Sequence, residues 1–230
     1  MSTIATPSPT AGSGPTADDG VLLDYRSARA ATPPLMVGRG AKLRSGTVLY
    51  AGSTIGHHFE TGHHVVVRED CMIGDDVSIW SNTLVDYSCR IGDRVKIHAN
   101  CYVAQYTEIL EDAFLAPGVT IANDLYPGQI ESAAVMSGPR IGAGARLGVN
   151  VTVLPYVRIG NGCLVGAGSV VTRDLPPDTV AYGNPAKVRG LVAQLVQIET
   201  RVTSDPDSAS RFRLANGSSG GGGPRVERRR

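Results

Sequence analysis

Aliphatic residues recur along this chain every sixth position. From Val37 the first positions run Leu43, Leu49, Ile55, Thr61, Val67, Ile73, Ile79, Val85, Ile91, Ile97, Val103, Ile109, Leu115 and Ile121, and the rhythm returns at Ile141, Leu147, Val153, Ile159, Val165 and Val171. All but Thr61 are aliphatic in a chain that is 42% hydrophobic, so chance does not hold the phase. A repeat of this kind fixes the architecture before any single residue is read. An amphipathic helix would step by three and four, which does not fit here. The spacing predicts an all-β fold, a parallel β-helix in which each hexad is a short strand plus a corner. Three hexads close one triangular coil, so residues 18 apart stack.

Each hexad position has its own chemistry. The first fills the prism. The fifth also points inward and holds small or branched residues such as Ala41, Thr47, Val95 and Ala145, with Phe59 an oversized exception. Third and fourth positions are corners rich in Asp, Asn and Gly, which tolerate left-handed backbone. Twenty-one hexads give about seven coils, a prism roughly 30–35 Å tall at the usual strand spacing.

The phase breaks once. Residues 127–140 form a 14-residue excursion, after which Ile141 takes the place a hexad at position 127 would have had. A regular solenoid does not need such a loop for its core, which marks it as functional. Beyond Val171, Leu191, Val192, Leu195, Ile198 and Val202 recur at near-helical spacing. This predicts a C-terminal helix over 188–203 that covers the open end of the prism. Residues 1–20, rich in Ser, Thr, Pro, Ala and Gly, and residues 204–230 read as disordered tails. The β-helix domain is placed at 21–187.

A net charge of +1 gives no bulk electrostatic case for nucleic acid or membrane partners. No run of 18 apolar residues suggests a membrane span, and the N-terminus lacks the regions of a secretory signal. Cys71, Cys89, Cys101 and Cys163 all fall at fifth positions. A packed interior demands that phase and a disulfide framework does not, so they read as reduced core residues of a cytoplasmic protein.

The hexads, the loop and the closing Tyr182-Gly183-Asn184-Pro185-Ala186-Lys187 together resemble the left-handed β-helix acyltransferases. The stretch from Val95 to Thr107 and the motif Asn123-Asp124-Leu125-Tyr126-Pro127 are similar to the branch that acetylates amino groups of nucleotide-linked sugars. This resemblance implies a left-handed coil, a homotrimer with active sites between subunits, acetyl-CoA as acyl donor, no metal, and a small-molecule amino-sugar acceptor.

Candidate site residues follow from that resemblance and from local chemistry. Gly142, Gly148 and Gly166 lack side chains, and with Ala167 they let the pantetheine arm approach backbone; equally, they suit coil geometry alone. Arg173 and Lys187 are candidates for the phosphates. Attack on the thioester needs an aligned nucleophile and a destination for its proton. No histidine follows His98, whereas many resembling enzymes carry one in or just before the loop. Two routes stay open: His98 as base, or an already neutral amine oriented by Asn100, Asn123 or Asp124, with Tyr126 beside them. A hydroxyl acceptor, giving a sugar O-acetyltransferase, is the alternative within the class.

Two readings lie outside it. His58 and His63 have a spacing similar to a ligand pair of the trimeric β-helix carbonic anhydrases, with His98 as third zinc ligand. Against this, the lone ligand of that class precedes the pair. The second is a non-catalytic trimeric scaffold, which leaves the loop and the Asn123–Pro127 motif unexplained.

Overall fold

In the computed structural model, which describes residues 14–28, 33–129 and 131–195, the 18-residue stacking is the organising feature. Lys42 pairs with Glu60, Ser78 with Lys96, and Ile79 with Ile97, all in parallel register. Two-residue strands build three faces of a left-handed parallel β-helix. Face A starts at Thr16–Ala17 and climbs through Lys42–Leu43, Ser78–Ile79 and Lys96–Ile97 to Thr179–Tyr182. Face B starts at Leu22–Tyr25 and ends at Val170–Val171; face C starts at Met36–Val37 and ends at Arg158–Ile159.

Face B has eight strands, so the prism has eight coils, not seven. The additional coil is N-terminal: Thr16 pairs with Lys42 and Leu22 with Val48. Its start lies inside the stretch whose composition reads as disordered. Here hexad spacing fails, yet the open end of the sheet supplies backbone partners for any extended segment that reaches it.

The core is the stack of first and fifth positions. Leu43, Ile79, Ile97, Leu115 and Leu147 are buried from the first, Ala41, Val77, Val95 and Ala145 from the fifth. Phe59 fits without protruding, at 0% exposure. The four cysteines are buried and free. Burial raises the Cys101 thiol, and the thiol of Cys71 followed by burial raises Cys89. Thiols held protonated in this way are inert.

Fourth positions carry the corners in left-handed backbone. Non-glycine residues accept it repeatedly, among them His58 (φ 55°), Arg94 (φ 57°), Asn100 (φ 60°) and Tyr106 (φ 63°). Third positions at the corner between faces C and A form a ladder in which a side chain accepts the N–H one coil below. His57 Nδ1 accepts from Arg39 at 2.9 Å, Asp75 from His57 at 2.6 Å, and Asp93 from Asp75 at 2.9 Å.

The excursion leaves the corner between faces B and C, and Arg140–Ile141 returns to pair with Glu108–Ile109. Its neck is closed by Ser137 N–H donating to the Asn123 carbonyl at 3.0 Å. At the C-terminal end Lys187–Leu191 is a strand, antiparallel to Thr179–Tyr182, where the hydrophobic spacing predicts the start of a helix. Pairing there satisfies the edge of face A directly, the task assigned to the helix. Helical backbone begins only at residues 193–195, and the rest of the predicted helix lies outside the described residues. No helix among the described residues is long and apolar enough to cross a membrane.

Candidate active site

Second positions point outward beside each corner, so their 18-residue columns line the outer wall of the prism. On face A this column reads Arg44, Gly62, Trp80, His98, Ala116, Gly148, Gly166 and Tyr182 from the N-terminal end upward. Trp80 N–H donates to the Ile97 carbonyl and His98 N–H to the Leu115 carbonyl, both at 2.8 Å, which sets the two side chains one above the other. The His98 ring lies 6.5 Å from Trp80 and 4.8 Å from Phe114, centroid to centroid. It is half-buried, with its plane held between two aromatic rings.

Above His98 the wall is bare. Ala116 is followed by Gly148 and Gly166, and these glycines are not interchangeable with alanine. A Cβ on Gly148 would sit 2.6 Å from the Ala167 nitrogen, and one on Gly166 would sit 2.8 Å from the Tyr182 Cβ. The coils therefore already require glycine here, and the same requirement leaves a smooth groove three coil steps, about 14 Å, long. Tyr182 closes its upper end, with the Arg189 guanidinium 5.2 Å over its ring.

The corner beside this column, between faces A and B, differs chemically from the others. His63 N–H finds Ser81 Oγ at 3.0 Å, but the next third positions are Ala99, Pro117, Val149 and Ala167. None offers a side-chain acceptor. Ser81, Ala99 and Val149 thus present N–H groups with no acceptor side chain on the coil above, beside an exposed apolar strip that includes Val149. A ligand with amide carbonyls and apolar spacers suits this wall.

The predicted site residues fall into separate places. His98, Asn100, Gly148, Gly166 and Ala167 share the face A column and its adjoining corner. Asn100 is exposed at a left-handed turn. Asn123, Asp124 and Tyr126 lie across face B, at the corner where the loop leaves. Asn123 Nδ2 donates to Gln105 Oε1 at 2.7 Å, and Asp124 Oδ1 accepts the Tyr126 N–H at 2.7 Å. Arg173 is exposed at that same corner. Gly142 is on face C, where a Cβ would sit 2.6 Å from the Gly160 carbonyl carbon, so it stands apart from the other two glycines. Lys187 is exposed on the closing strand. One chain therefore presents two half-sites at two corners.

Below Asn123 the B–C corner is stiffened by a buried charge network that the hexad pattern does not announce. Glu69 is 1% exposed and receives Arg68 through Nε at 2.9 Å and a second guanidinium nitrogen at 3.0 Å. This pairing raises the Arg68 guanidinium further. Asp86 lies 3.5 Å from the same guanidinium, accepts the Tyr87 N–H at 2.8 Å and the Tyr102 hydroxyl at 3.1 Å. Burial, then the Asp86 charge, push the Tyr102 phenol up to about 12.

The histidines of the zinc reading are occupied and apart. His58 Nδ1 meets Asp76 at 3.1 Å and His63 Nδ1 meets Ser45 Oγ at 2.9 Å, at opposite ends of one face A strand, two coils below His98. Among the described residues no three His, Cys, Asp or Glu side chains are grouped to hold a metal ion.

Comparison with known proteins bears on the repeat. The family "Bacterial transferase hexapeptide (six repeats)" matches residues 88–123 and 138–173, and "Hexapeptide repeat of succinyl-transferase" matches 65–105. "Putative acetyltransferase SACOL2570" of Staphylococcus aureus (strain COL) is 55% identical over 53 residues, 23% of this chain and 27% of that protein. Serine acetyltransferase 2 of Arabidopsis thaliana is 41% identical over 78 residues, 34% of this chain and 24% of that protein. The matched region thus spans about a quarter of the length of these relatives. Among solved structures, UDP-N-acetylglucosamine acyltransferase from Campylobacter jejuni aligns with a TM-score of 0.47 at 17% identity, over 88% of this chain and 81% of that one. Perosamine N-acetyltransferase from Caulobacter crescentus, in complex with CoA and GDP-perosamine, aligns with a TM-score of 0.41 at 23% identity, over 78% and 58%.

Proposed function

Since the chain belongs to the hexapeptide-repeat transferases, we propose that it transfers an acetyl group from acetyl-CoA to an amino group of a nucleotide-linked sugar. The observation that carries this is the bare column of Ala116, Gly148 and Gly166 leading to a ring-clamped His98, with unpartnered N–H groups along its edge. The acetyltransferases among its partial relatives supply the donor's identity. Gly148, Gly166 and Ala167 take the pantetheine arm, and Lys187, with Arg189 beside it on the closing strand, takes phosphate charge at the upper end. Gly142 and Arg173 lie off this groove, and we leave them out of the donor site.

The chemistry concentrates at His98. An amine that arrives neutral attacks the thioester carbon, and the task left to the protein is alignment. Asn100 and Asn123 do this by accepting from the amine. Asn123 donates through Nδ2 to Gln105, which leaves its side-chain carbonyl oxygen for the acceptor. His98 takes the proton that the ammonium product must shed. Because His98 and Asn123 sit at different corners of one prism, the complete site forms where two chains meet, in a homotrimer. Thiol release from acetyl-CoA against a panel of nucleotide-linked amino sugars and simple amines tests the reading. Release with any member supports it, release with hydroxyl analogues instead moves it to O-acetylation, and none with any acceptor removes it.

A further inference from the structure

Trp80 is the chain's only tryptophan and is 40% exposed although large and apolar. It is the next residue below His98 in the face A column. We propose that its indole is the platform on which the acceptor's sugar ring lies, with Arg44 receiving the diphosphate; this rests on the function proposed above and names the acceptor's half of that site.

Three features place the acceptor below His98 instead of elsewhere. Above His98 the column is bare and suits the donor, so the acceptor must approach from the other side of the imidazole. Below it the indole offers a flat apolar surface whose centroid is 6.5 Å from the imidazole. A pyranose presents a face of C–H groups to such a ring while its edge hydroxyls and amine stay free for polar partners. The ring that lies here also carries the nucleophile, because only a group one ring-width away reaches His98. The nucleobase, a diphosphate further off, does not.

The column below Trp80 continues the logic. Gly62 has no side chain, and a Cβ there would sit within 2.9 Å of the Ser81 Cα, so this step is bare. Arg44 follows, two coil steps or about 10 Å below Trp80. Its guanidinium is exposed and only loosely paired, 3.7 Å from Asp18. A bare step between an aromatic platform and a cation matches a sugar joined to a diphosphate, since guanidinium is suited to bidentate phosphate contacts. The order along one wall is then phosphate at Arg44, sugar at Trp80, proton transfer at His98, and pantetheine above.

The single tryptophan makes the test direct. The probe is whichever UDP-, GDP- or dTDP-linked amino sugar gives the fastest thiol release, with the corresponding free nucleoside diphosphate as control. Trp80 emission should change saturably with the sugar conjugate and little with the nucleoside diphosphate. Trp80→Ala should raise the acceptor KM roughly 10-fold, an effect of the size of one stacking contact, while leaving KM for acetyl-CoA unchanged. Trp80→Phe, which keeps a flat ring, should stay near wild type and guards against a folding defect. Arg44→Gln should raise KM for the conjugate and not for the free amino sugar. Unchanged emission and acceptor KM with turnover intact would overturn the inference alone, as would equal quenching by the nucleoside diphosphate. No turnover with any conjugate would remove the reading beneath it.

Discussion

His98 is positioned for two different jobs, and its neighbours do not choose between them. If it is a general base in the rate-limiting step, His98→Ala should lower kcat by roughly 10²–10⁴, and the rate should follow an ionisation near that of histidine, about 6.5 when unperturbed. If alignment dominates, as we expect for an amine, His98→Ala should cost little and Asn100→Ala more, with a pH profile set by the substrate amine. Histidine at 98 is plain in the sequence, but its partners Trp80 and Phe114 become visible only when residues 18 and 16 apart are read as neighbours. The network at the B–C corner is illegible for another reason: Arg68, Glu69 and Asp86 sit at corner positions, where charged residues are ordinarily solvated. Burial of Glu69 turns that pairing into a stability element. Glu69→Ala should cost about 1–3 kcal/mol by stripping partners from buried polar groups, measured by denaturant unfolding. Tyr102 contributes in a defined window. Its folded pKa is raised, so the stability it contributes is intact below about 10, the unfolded value, and is lost as pH rises toward about 12. Tyr102→Phe should flatten that part of the alkaline unfolding curve.

At the level of the hexad, the phase read from the sequence and the packing agree residue by residue. Ile97 at 0% exposure is the sharpest case. Ile97→Asp strands a carboxylate among apolar side chains, and the prism should fail to fold, seen as loss of the cooperative thermal transition. The loop is legible too, because Ile141 returns to pair in the place left vacant at position 127. The termini are not. There the chain adopts β structure through backbone pairing to a sheet edge, which leaves little mark on side-chain pattern: Thr16–Ala17 and Lys187–Leu191 are strands because an open ladder adjoins them. Glycines 142, 148 and 166 look alike as letters, and only the assignment of each hexad to a face separates Gly142 from the other two. The loop itself is dispensable to the core. Deleting residues 129–136 should leave thermal stability and assembly nearly unchanged while raising KM for the acceptor, since its neck hangs on the Asn123 carbonyl.

The separation of His98 and Asn123 onto two corners makes a demand on the whole molecule that no single-chain variant can test. If each active site takes His98 from one subunit and Asn123 from its neighbour, either substitution alone empties every site of one of the two. Co-folding His98→Ala with Asn123→Ala chains then restores complete sites at interfaces where the Asn123-substituted chain contributes its intact His98 and the His98-substituted chain its intact Asn123. With random assembly in a closed ring, roughly a quarter of interfaces meet that condition. The mixture should therefore regain about a quarter of wild-type turnover, provided both substitutions are strongly impairing on the same acceptor; if His98→Ala proves mild, Asn100→Ala takes its place, because it lies at the same corner. Light scattering on the mixture should report three chains per particle. Trimers that form normally yet gain no activity over the better parent would show that the two corners serve separate purposes, and Asn123 would then belong to the loop's anchorage and not to the site.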